Sequence, residues 1–393
     1  MKNRRNYRFA DVVGRELTRM LSDKVYLFMG LIAPFIGFGM IAWIFSANVP
    51  RELPVAIVDL DHTSLSRQIA RTVDATSIAR ADRSYTDLLQ ASRALAEGKA
   101  EAVICIPENT QRNILRGQNA PVAVYLNNAW LIKSGLLKSG IQKSLGSLSA
   151  GLKIRSMMMN GDNEKQAASK IMAVRLRPVL LFNPYTSYEY YLTLLLLPVL
   201  LTVFVLFGTI YAVGSELQYG SGPEWLEASG WKLIPAVTGK LLPHTVIFCI
   251  QATAMNIIFF RILGLPLNGH LALVMVSELM MILAYQFMAI LFVSVMKNMR
   301  LALSIASAYT MLAVTFAGLT FPLFGMPAIA QVFSRIFPFS YWLELFAGQT
   351  LRGEPAANAL VQMLFICVFI LAGALFTPRL KYIVTTRKYW GKI

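Results

Sequence analysis

The stretch VYLFMGLIAPFIGFGMIAWIF, from Val25 to Phe45, contains no charged residue and decides the fold class of this chain. At a rise of about 1.5 Å per residue, a helix of this length covers about 30 Å, which is the thickness of the hydrocarbon core of a bilayer. A cleaved signal peptide is the alternative, but its apolar core would be shorter and would end at a small-residue cleavage site. The following residues, SANVPRE, offer no such site. The stretch therefore predicts an uncleaved membrane-spanning helix.

Five further apolar stretches are long enough to cross a membrane. Together with the first they predict a polytopic α-helical membrane protein with six transmembrane helices. The composition agrees, because 56% of the 393 residues are hydrophobic and only 15% are charged, which is more apolar surface than a soluble fold can bury. The later predicted spans are Tyr190 to Val213, Lys240 to Leu263, Leu271 to Val295, Leu301 to Phe321 and Ala357 to Phe376.

The distribution of Lys and Arg predicts the orientation of these spans. An even number of spans places both termini on one side, and the short segments on that side carry most of the basic residues. The opposite short loops hold only Arg261, Arg335 and Arg352, so the positive-inside rule places both termini in the cytoplasm of a bacterial cell and the spans in its inner membrane. The net charge of +16 is spread over many loops without one basic face, which gives no support to nucleic-acid binding.

Residues 1–24 predict a cytoplasmic segment that contains an amphipathic helix. Lying on the cytoplasmic leaflet is one interpretation of this helix, and packing on a partner protein is the other. The predicted apolar face consists of Phe9, Val13, Leu17 and Met20, with Val12 and Leu21 alongside. The predicted polar face consists of Arg8, Asp11, Arg15, Glu16 and Arg19.

Between the first and second predicted spans, residues 47–189 are polar and numerous enough for an extracytoplasmic domain. The first half alternates strand and helix patterns and predicts a small α/β domain. The predicted strands are Val55 to Val58, Ala102 to Ile106 and Val122 to Leu126, and helices are predicted to begin near Thr63, Thr86 and Thr110. The second half, from about Ile132 to Arg177, predicts long helices that lead back to the membrane.

The sequence lacks the usual nucleotide- and metal-binding motifs. Each Gly-Lys pair is followed by Ala, Leu or Ile, so the usual phosphate-binding loop is missing and we expect no cofactor on this chain. Asp59, Asp61 and Thr63 imitate the start of a calcium loop, but Ser64 and Ala70 stand where that loop needs Gly and Glu. Acids at a strand end beside a helix cap are the better interpretation. The His residues are scattered and no nucleophile elbow occurs, so we expect neither a metal site nor an enzyme.

The segment GSELQYGSGPEWLEASGWKLIPAVTGKLLPH, which begins at Gly214, resembles the coupling segment of type-two ATP-binding-cassette (ABC) permeases. In that family an acidic stretch precedes Gly-Thr, then a Glu with a nearby Leu, a small residue, and a Gly-Lys pair that opens the next span. The matching residues are Glu216, Gly220, Ser221, Glu224, Leu226, Ser229, Gly239 and Lys240. The departures from the pattern are Gln218, Pro223 and Gly230.

Two more segments carry the resemblance. GLTFPLFGMPAIAQVFSRIFPFSYWLELFAGQTLRG is similar to the outer re-entrant helices of the family, which we expect at 322–350. The matching residues are Gly318, Phe321, Pro322, Met326, Pro327, Pro338, Tyr341 and Gly353. VDLDHTSLSRQIA and AEGKAEAVICIPENTQRNILRG are similar to the ectodomain of the drug- and lipid-exporting branch.

The resemblance implies the permease subunit of an exporter for a drug-like, lipid or other hydrophobic substrate. A separate ATPase subunit with ATP-Mg would drive it, and a second permease chain, identical or related, would complete the pathway in the lipid membrane. The sequence does not decide whether a periplasmic adaptor and an outer-membrane channel are also partners. A receptor or scaffold that uses the ectodomain for binding is the alternative function.

The expected organisation assigns roles to particular residues. Loop 214–239 would dock on the ATPase, with Trp225 and Leu226 as anchors and with Glu224 and Glu227 fixing the register. An interfacial position for Trp225 is the alternative. The other expected segments of the chain are the first span at 25–46, spans two to six within 190–377 and a cytoplasmic tail at 378–393.

Polar side chains inside the predicted spans are candidates for the translocation path, because each costs free energy in lipid unless it is paired or faces water. These candidates are Gln251, Asn256, Glu278 and Gln286. The sequence leaves three roles open for Glu278: packing between helices, a place in the translocation path or its gate, and a position at the lipid headgroups.

Overall fold

The computed structural model describes residues 9–45, 51–116, 118–129, 131–159, 163, 188–318 and 321–391. The chain divides into two compact units. One consists of Met1–Ser46 with Leu180–Ile393, and the other of Ala47–Val179. We call them the membrane unit and the outer unit, after the predicted locations of their residues.

The helices of the described residues fall in the following order. The first seven are α1 (Phe9–Ser22), α2 (Lys24–Leu27), α3 (Ala33–Phe45), α4 (Ser64–Asp74), α5 (Leu88–Ala96), α6 (Thr110–Leu115) and α7 (Leu131–Met159). The next five are α8 (Tyr188–Gln218), α9 (Gly222–Ala228), α10 (Leu233–Ile257), α11 (Leu271–Met296) and α12 (Met299–Phe316). The last four are α13 (Ala328–Ser334), α14 (Pro338–Ala347), α15 (Ala356–Ala374) and α16 (Thr377–Thr385). The π-helical turns Phe28–Ile32, Ile258–Ile262 and Gly348–Arg352 extend α2, α10 and α14.

Six helical segments among the described residues are long and apolar enough to span a membrane, which confirms the predicted fold class. They are Lys24–Phe45, Leu192–Gln218, Leu233–Ile262, Leu271–Met296, Met299–Phe316 and Ala356–Thr385. The sixth segment continues to Thr385, beyond the predicted end at Phe376. The bounds also differ around loop 214–239, because α8 continues to Gln218 and α10 begins at Leu233. The prediction ended these helices near their charged residues, Glu216 and Lys240, whereas the structure pairs those charges with each other.

The core of the membrane unit lies around α8 and α11. In each of these two spans about 61% of the most apolar part is buried, whereas only 11% of that part is buried in the first span. Gly373 of α15 allows a close approach to α11, because a Cβ at this position would clash with the backbone of Phe287. The fifth predicted span is shorter than expected, since α12 ends at Phe316 rather than Phe321.

The faces predicted for α1 are partly wrong. Val12, Glu16 and Met20, spaced four residues apart, form its buried face, and α1 packs on α10. Glu16, assigned to the polar face, is thus directed into the protein. Three residues of the predicted apolar face, Phe9, Leu17 and Leu21, are exposed. Glu16 is directed inward because its carboxylate pairs with Lys240 of α10.

The outer unit contains a four-stranded sheet. Its strands are β1 (Leu53–Asp59), β2 (Ala79–Asp82), β3 (Ala102–Ile106) and β4 (Ala123–Leu126). They lie in the order β2-β1-β3-β4. β1 is parallel to β2 and β3, whereas β4 is antiparallel to β3. The predicted α/β class is therefore confirmed, although the prediction missed β2, a polar edge strand with the sequence ARAD.

Helices cover both faces of this sheet. Val55 and Ile57 of β1 point to the face that packs on α4 and α7, and Ala56 and Val58 point to the face that packs on α5. α7 confirms the start of the long helical region predicted from Ile132. The rest of that region, from residue 160 to Arg177, lies outside the described residues except for residue 163. Thr63 caps α4 through a capping box, which confirms its interpretation as a helix cap.

Candidate functional site

Glu216, the first acid of loop 214–239, lies in the last turn of α8 and is completely buried. Its carboxylate accepts hydrogen bonds from Nη1 of Arg15 at 2.7 Å, from Nζ of Lys240 at 2.8 Å and from the guanidinium of Arg19. The hydroxyl of Ser221 donates to the second carboxylate oxygen. A buried carboxylate without partners would cost several kcal/mol. These donors are therefore what allow Glu216 to lie in the protein interior.

Lys240 lies between two carboxylates. Its Nζ donates to Oε2 of Glu16 at 2.6 Å as well as to Glu216. His244, one turn further along α10, contacts Oε1 of Glu16 through Nε2 at 2.9 Å. Because an ionised carboxylate only accepts hydrogen bonds, Nε2 of His244 carries the proton. The six side chains that join α1, α8 and α10 form what we call the ionic cluster: Arg15, Glu16, Arg19, Glu216, Lys240 and His244.

The charge state of Glu16 follows from its neighbours. Burial alone would raise the pKa of Glu16, but the charge of Lys240 and the hydrogen bond from His244 outweigh burial and lower the pKa from 4.5 to about 2. A carboxyl group with a depressed pKa stabilises the fold fully above its unfolded pKa. That stabilisation is lost as the pH falls from 4.5 towards 2. At neutral pH the ionic cluster therefore contains a fully ionised Glu16.

The Gly-Lys pair acts differently from its expected role of opening a span. Gly239 and Lys240 lie well inside α10, which begins at Leu233. A Cβ at Gly239 would lie 2.9 Å from Cβ of Val12, so only glycine permits α1 to pack this closely on α10. Close packing of α1 is also what brings Glu16 to Lys240. The pair thus attaches α1 to the third span.

The expected anchors Trp225 and Leu226 are not on the surface. Trp225 is 1% exposed, its Nε1 donates to the carbonyl oxygen of Ala236 at 3.0 Å, and Nζ of Lys240 lies 5.2 Å from its ring centroid. Leu226 belongs to the same core. Their prediction as residues that enter a partner's groove is therefore wrong, because the chain's own core already buries them. An interfacial position for Trp225 is excluded for the same reason.

The exposed surface of α9 is acidic. The side chain of Glu224 is 77% exposed, and Glu227 is also exposed. Pro223, which departs from the family pattern, lies in the first turn of α9, where its missing N–H needs no partner. Trp231 and Ile234, which follow α9, are exposed apolar residues that the sequence reasoning missed.

The C-terminal residues pack against the same segment. Gly220 has a φ of 66°, and a Cβ there would lie 2.8 Å from the ring of Trp390. The backbone N–H of Gly391 donates to the carbonyl oxygen of Leu217 at 3.2 Å. Nζ of Lys381, on α16, donates to the carbonyl oxygen of Trp231 at 2.8 Å. The residues predicted as a cytoplasmic tail at 378–393 are therefore folded onto α8 and α9 as far as they are described.

The candidates for the translocation path are buried within the chain and connect neighbouring helices. Nδ2 of Asn256 donates to Oε2 of Glu278 at 2.8 Å, and Nε2 of Gln251 donates to the carbonyl oxygen of Gly30 at 2.6 Å. Oε1 of Gln286 accepts from Thr245 at 2.9 Å. One polar atom of each candidate has no hydrogen-bond partner among the described residues. The structure thus places Asn256 and Glu278 together and leaves both half-satisfied.

The predicted outer segment at 322–350 forms short helices rather than another span. Pro322 precedes the short helix Leu323–Gly325, Pro327 precedes α13, and Pro338 is the first residue of α14. These are positions where proline is favoured. Met326 is buried beside them. Tyr341 stacks on Phe365 of α15 with the ring centroids 4.9 Å apart, which attaches α14 to the sixth span.

Sequence reasoning found Glu216 and Lys240 but not their partners on α1. One signal was present, because Glu16 occupies the same helical face as Val12 and Met20, where an apolar residue would be expected. An acid on an apolar face predicts a buried cation on a neighbouring helix. The sequence could not tell which cation this was.

A comparison with protein families gives a match that covers residues 24–377. The matching family is described as ABC-2 family transporter protein. A search of curated proteins gives no significant match.

Proposed function

The chain belongs to the ABC-2 family of transporters, and we propose that within this family it is the permease subunit of an exporter. A separate ATPase subunit, which binds ATP-Mg, drives the transport. The observation that carries the proposal is a chain of ionic contacts from the surface into the core. Oε2 of exposed Glu224 lies 3.9 Å from Nη2 of Arg15, Arg15 pairs with Glu216, and Glu216 pairs with buried Lys240.

In this mechanism α9 is the element on which the ATPase acts. Glu224 and Glu227 contact basic groups of the ATPase, and exposed Trp231 supplies apolar area beside them. Trp225 and Leu226 hold α9 rigidly on the membrane unit, so a displacement of α9 moves α8 and α10 as well. The ionic cluster adds α1 to the moving group, because its charges cannot separate without leaving a carboxylate unpaired in the interior.

The translocation path forms between two permease chains, identical or related. Within one chain, only 11% of the most apolar part of the first span is buried, and 22% of that part of the fifth and sixth spans. These helices therefore retain large apolar faces for lipid or for the second chain. We propose a hydrophobic substrate, drug-like or lipid, because the outer unit resembles the ectodomain of that branch. A protein that binds the ATPase but whose ATP hydrolysis responds to no hydrophobic compound would contradict the assignment.

The ionic cluster and α9 lie on the cytoplasmic side of the inner membrane. This orientation rests on the excess of Lys and Arg in the segments beside them. A cysteine introduced at Thr18, which is exposed on α1, should be protected from an impermeant thiol reagent in intact cells, whereas a cysteine at Asn128 should react. Labelling at Thr18 would reverse the orientation and remove α9 from reach of the ATPase.

The coupling role is tested by charge reversal on the surface of α9. In the variant Glu224→Lys with Glu227→Lys, copurification of the ATPase and substrate-stimulated ATP hydrolysis should fall roughly tenfold or more, because two attractive contacts become repulsive. Membrane insertion should be unchanged, and the free energy of unfolding should fall by no more than about 1 kcal/mol, because the contact between Glu224 and Arg15 is solvent-exposed.

The matched control is Glu52→Lys with Glu97→Lys, which changes the net charge equally at exposed positions of the outer unit. It should leave both measurements unchanged. Normal ATPase binding and hydrolysis in the α9 variant would show that α9 is not the coupling element, even if the chain is a transport permease.

A further inference from the structure

The strand order of the outer unit creates a crevice at one edge of its sheet. The chain leaves β1 through α4 to reach β2 on one side, and it continues from β3 through α6 to β4 on the other side. β1 and β3 are neighbouring parallel strands, so their carboxyl ends meet at the point where the strand order reverses. In open α/β sheets this is the place where ligands bind.

A cavity of about 620 Å³ lies at this point. Its walls are residues between 60 and 63, in the loop after β1, and residues between 108 and 116, which follow β3. The size is within the range of small-molecule sites. The cavity lies within the outer unit and shares no residue with the ionic cluster.

The acids of the loop after β1 are used by the fold itself. Asp59 accepts hydrogen bonds from the backbone N–H groups of Asp61 and His62 and from the hydroxyl of Ser66. Oδ2 of Asp61 accepts from the hydroxyl of Thr63 at 2.6 Å and from the backbone N–H of Gln111 at 3.0 Å. These bonds join the two walls of the cavity, so its shape is fixed before any ligand enters. They also occupy both oxygens of Asp59 and Oδ2 of Asp61.

Two cationic groups of the lining remain available for a ligand. Arg112 and Arg116 both line the cavity, one helical turn apart, and within the described chain neither guanidinium has an ion-pair partner. Glu108, at the same wall, is the one carboxylate of the lining that no hydrogen bond of the described chain occupies. Two guanidinium groups at this spacing suit the oxygens of a phosphate or a carboxylate.

Apolar side chains stand beside these charges. Leu60 and Leu115 line the cavity and are both exposed. Leu115 is 75% exposed, although it lies on the helix that carries Arg112. A bound apolar group would remove these leucines from water.

We propose that this cavity binds a small amphipathic anion, with a phosphate or carboxylate group on Arg112 and Arg116 and an apolar chain on Leu60 and Leu115. Glu108 and Asp61, the two carboxylates of the lining, oppose the anion and keep the affinity moderate. The anion is either a free small molecule or the headgroup of a lipid, since both present the same chemistry.

The test measures binding of radiolabelled monobutyl phosphate to the full-length protein in phosphatidylcholine nanodiscs by equilibrium dialysis. Binding should be saturable, and Arg112→Gln with Arg116→Gln should weaken it roughly tenfold or more. The control Arg71→Gln with Arg80→Gln removes the same charge from exposed positions elsewhere in the outer unit and should leave the affinity unchanged. An equal loss of affinity in the two double variants, or the absence of saturable binding in wild type, would overturn the proposal.

Two further variants test the apolar and the acidic wall. Leu60→Asn with Leu115→Asn should reduce the affinity for monobutyl phosphate to that for inorganic phosphate, whereas wild type should prefer the butyl ester. Glu108→Gln should tighten binding roughly twofold or more, because it removes a repulsive charge. Weaker binding in Glu108→Gln would overturn the assignment of an anion.

Nanodiscs that contain phosphatidylglycerol separate the two sources of the anion. If this lipid competes with monobutyl phosphate in wild type but not in Arg112→Gln with Arg116→Gln, the ligand is a lipid headgroup. Unchanged binding of monobutyl phosphate would identify a free anion. Both results support the site, whereas equal competition in wild type and variant would show that binding occurs elsewhere.

Discussion

Two of the buried polar sites in the membrane unit are organised in opposite ways. In the ionic cluster, Lys240 pairs with both Glu16 and Glu216, and Arg15 and Arg19 supply further donors to Glu216. Inside the third and fourth spans, Asn256 and Glu278 share one hydrogen bond, and one oxygen of each has no partner among the described residues.

The difference concerns rigidity. A fully paired set of buried charges has one favourable arrangement, because any separation leaves a charge uncompensated. A half-satisfied amide and carboxyl pair can exchange partners with water or with another polar group at little cost. The ionic cluster therefore suits a joint that moves as one body, and the Asn256–Glu278 pair suits a contact that changes during transport.

The largest expected effect is that of removing the central cation. Lys240→Met leaves Glu16 and Glu216 facing each other in the interior, and we expect the free energy of unfolding to fall by about 3–5 kcal/mol. The measurement is the thermal unfolding of the purified protein in detergent, followed by tryptophan fluorescence. Lys232→Met is the matched control, because Lys232 is exposed just before α10. Equal stability of the two variants would show that the cluster does not hold the helices together.

The next effect is a dependence on pH. At pH 7 wild type should be more stable than Glu16→Gln by about 3 kcal/mol, because the pKa of Glu16 falls from 4.5 to about 2 and each pKa unit corresponds to about 1.36 kcal/mol. The pKa is depressed in the folded state, so this advantage should shrink as the pH falls from 4.5 towards 2. Parallel unfolding curves at pH 7 and pH 3 measure the change. A difference that stays constant over this range would contradict the charged pairing of Glu16.

The smallest effect is expected at the Asn256–Glu278 pair. Glu278→Gln should change the free energy of unfolding by less than about 1 kcal/mol, because an amide oxygen can still accept the hydrogen bond from Asn256. Glu278→Leu should cost about 1–3 kcal/mol, since it leaves the Asn256 amide unpaired. The same thermal unfolding measurement applies. A loss of more than about 3 kcal/mol in Glu278→Gln would show that this pair is as rigid as the ionic cluster.

The spans and the sheet could be predicted because their signals are local. Val25 to Phe45 is apolar throughout, and Ala102 to Ile106 is a β-rich run, so neither requires knowledge of its neighbours in space. β2 was missed for the same reason, because ARAD has no local strand signal and forms a strand only where β1 provides a partner.

The site was predicted less completely than the fold. Glu216 and Lys240 were recognised from the pattern around them, but their contacts were not. Trp225 was predicted to anchor loop 214–239 in a groove of the ATPase, with a position at the membrane interface as the alternative. The structure instead buries it under α10, which begins earlier than the hydrophobic pattern indicates.

The sequence by itself determined that this chain crosses a membrane six times, carries an α/β unit between the first two spans and belongs among transport permeases. Hydrophobicity and strand periodicity depend on residues that are close in the chain, so they can be read along it. Only the tertiary structure decided that Glu16 is directed inward and that Trp225 belongs to the core. Both depend on Lys240 and its helix, more than 200 positions from Glu16, and the pairing of charges at that separation is set by packing in space.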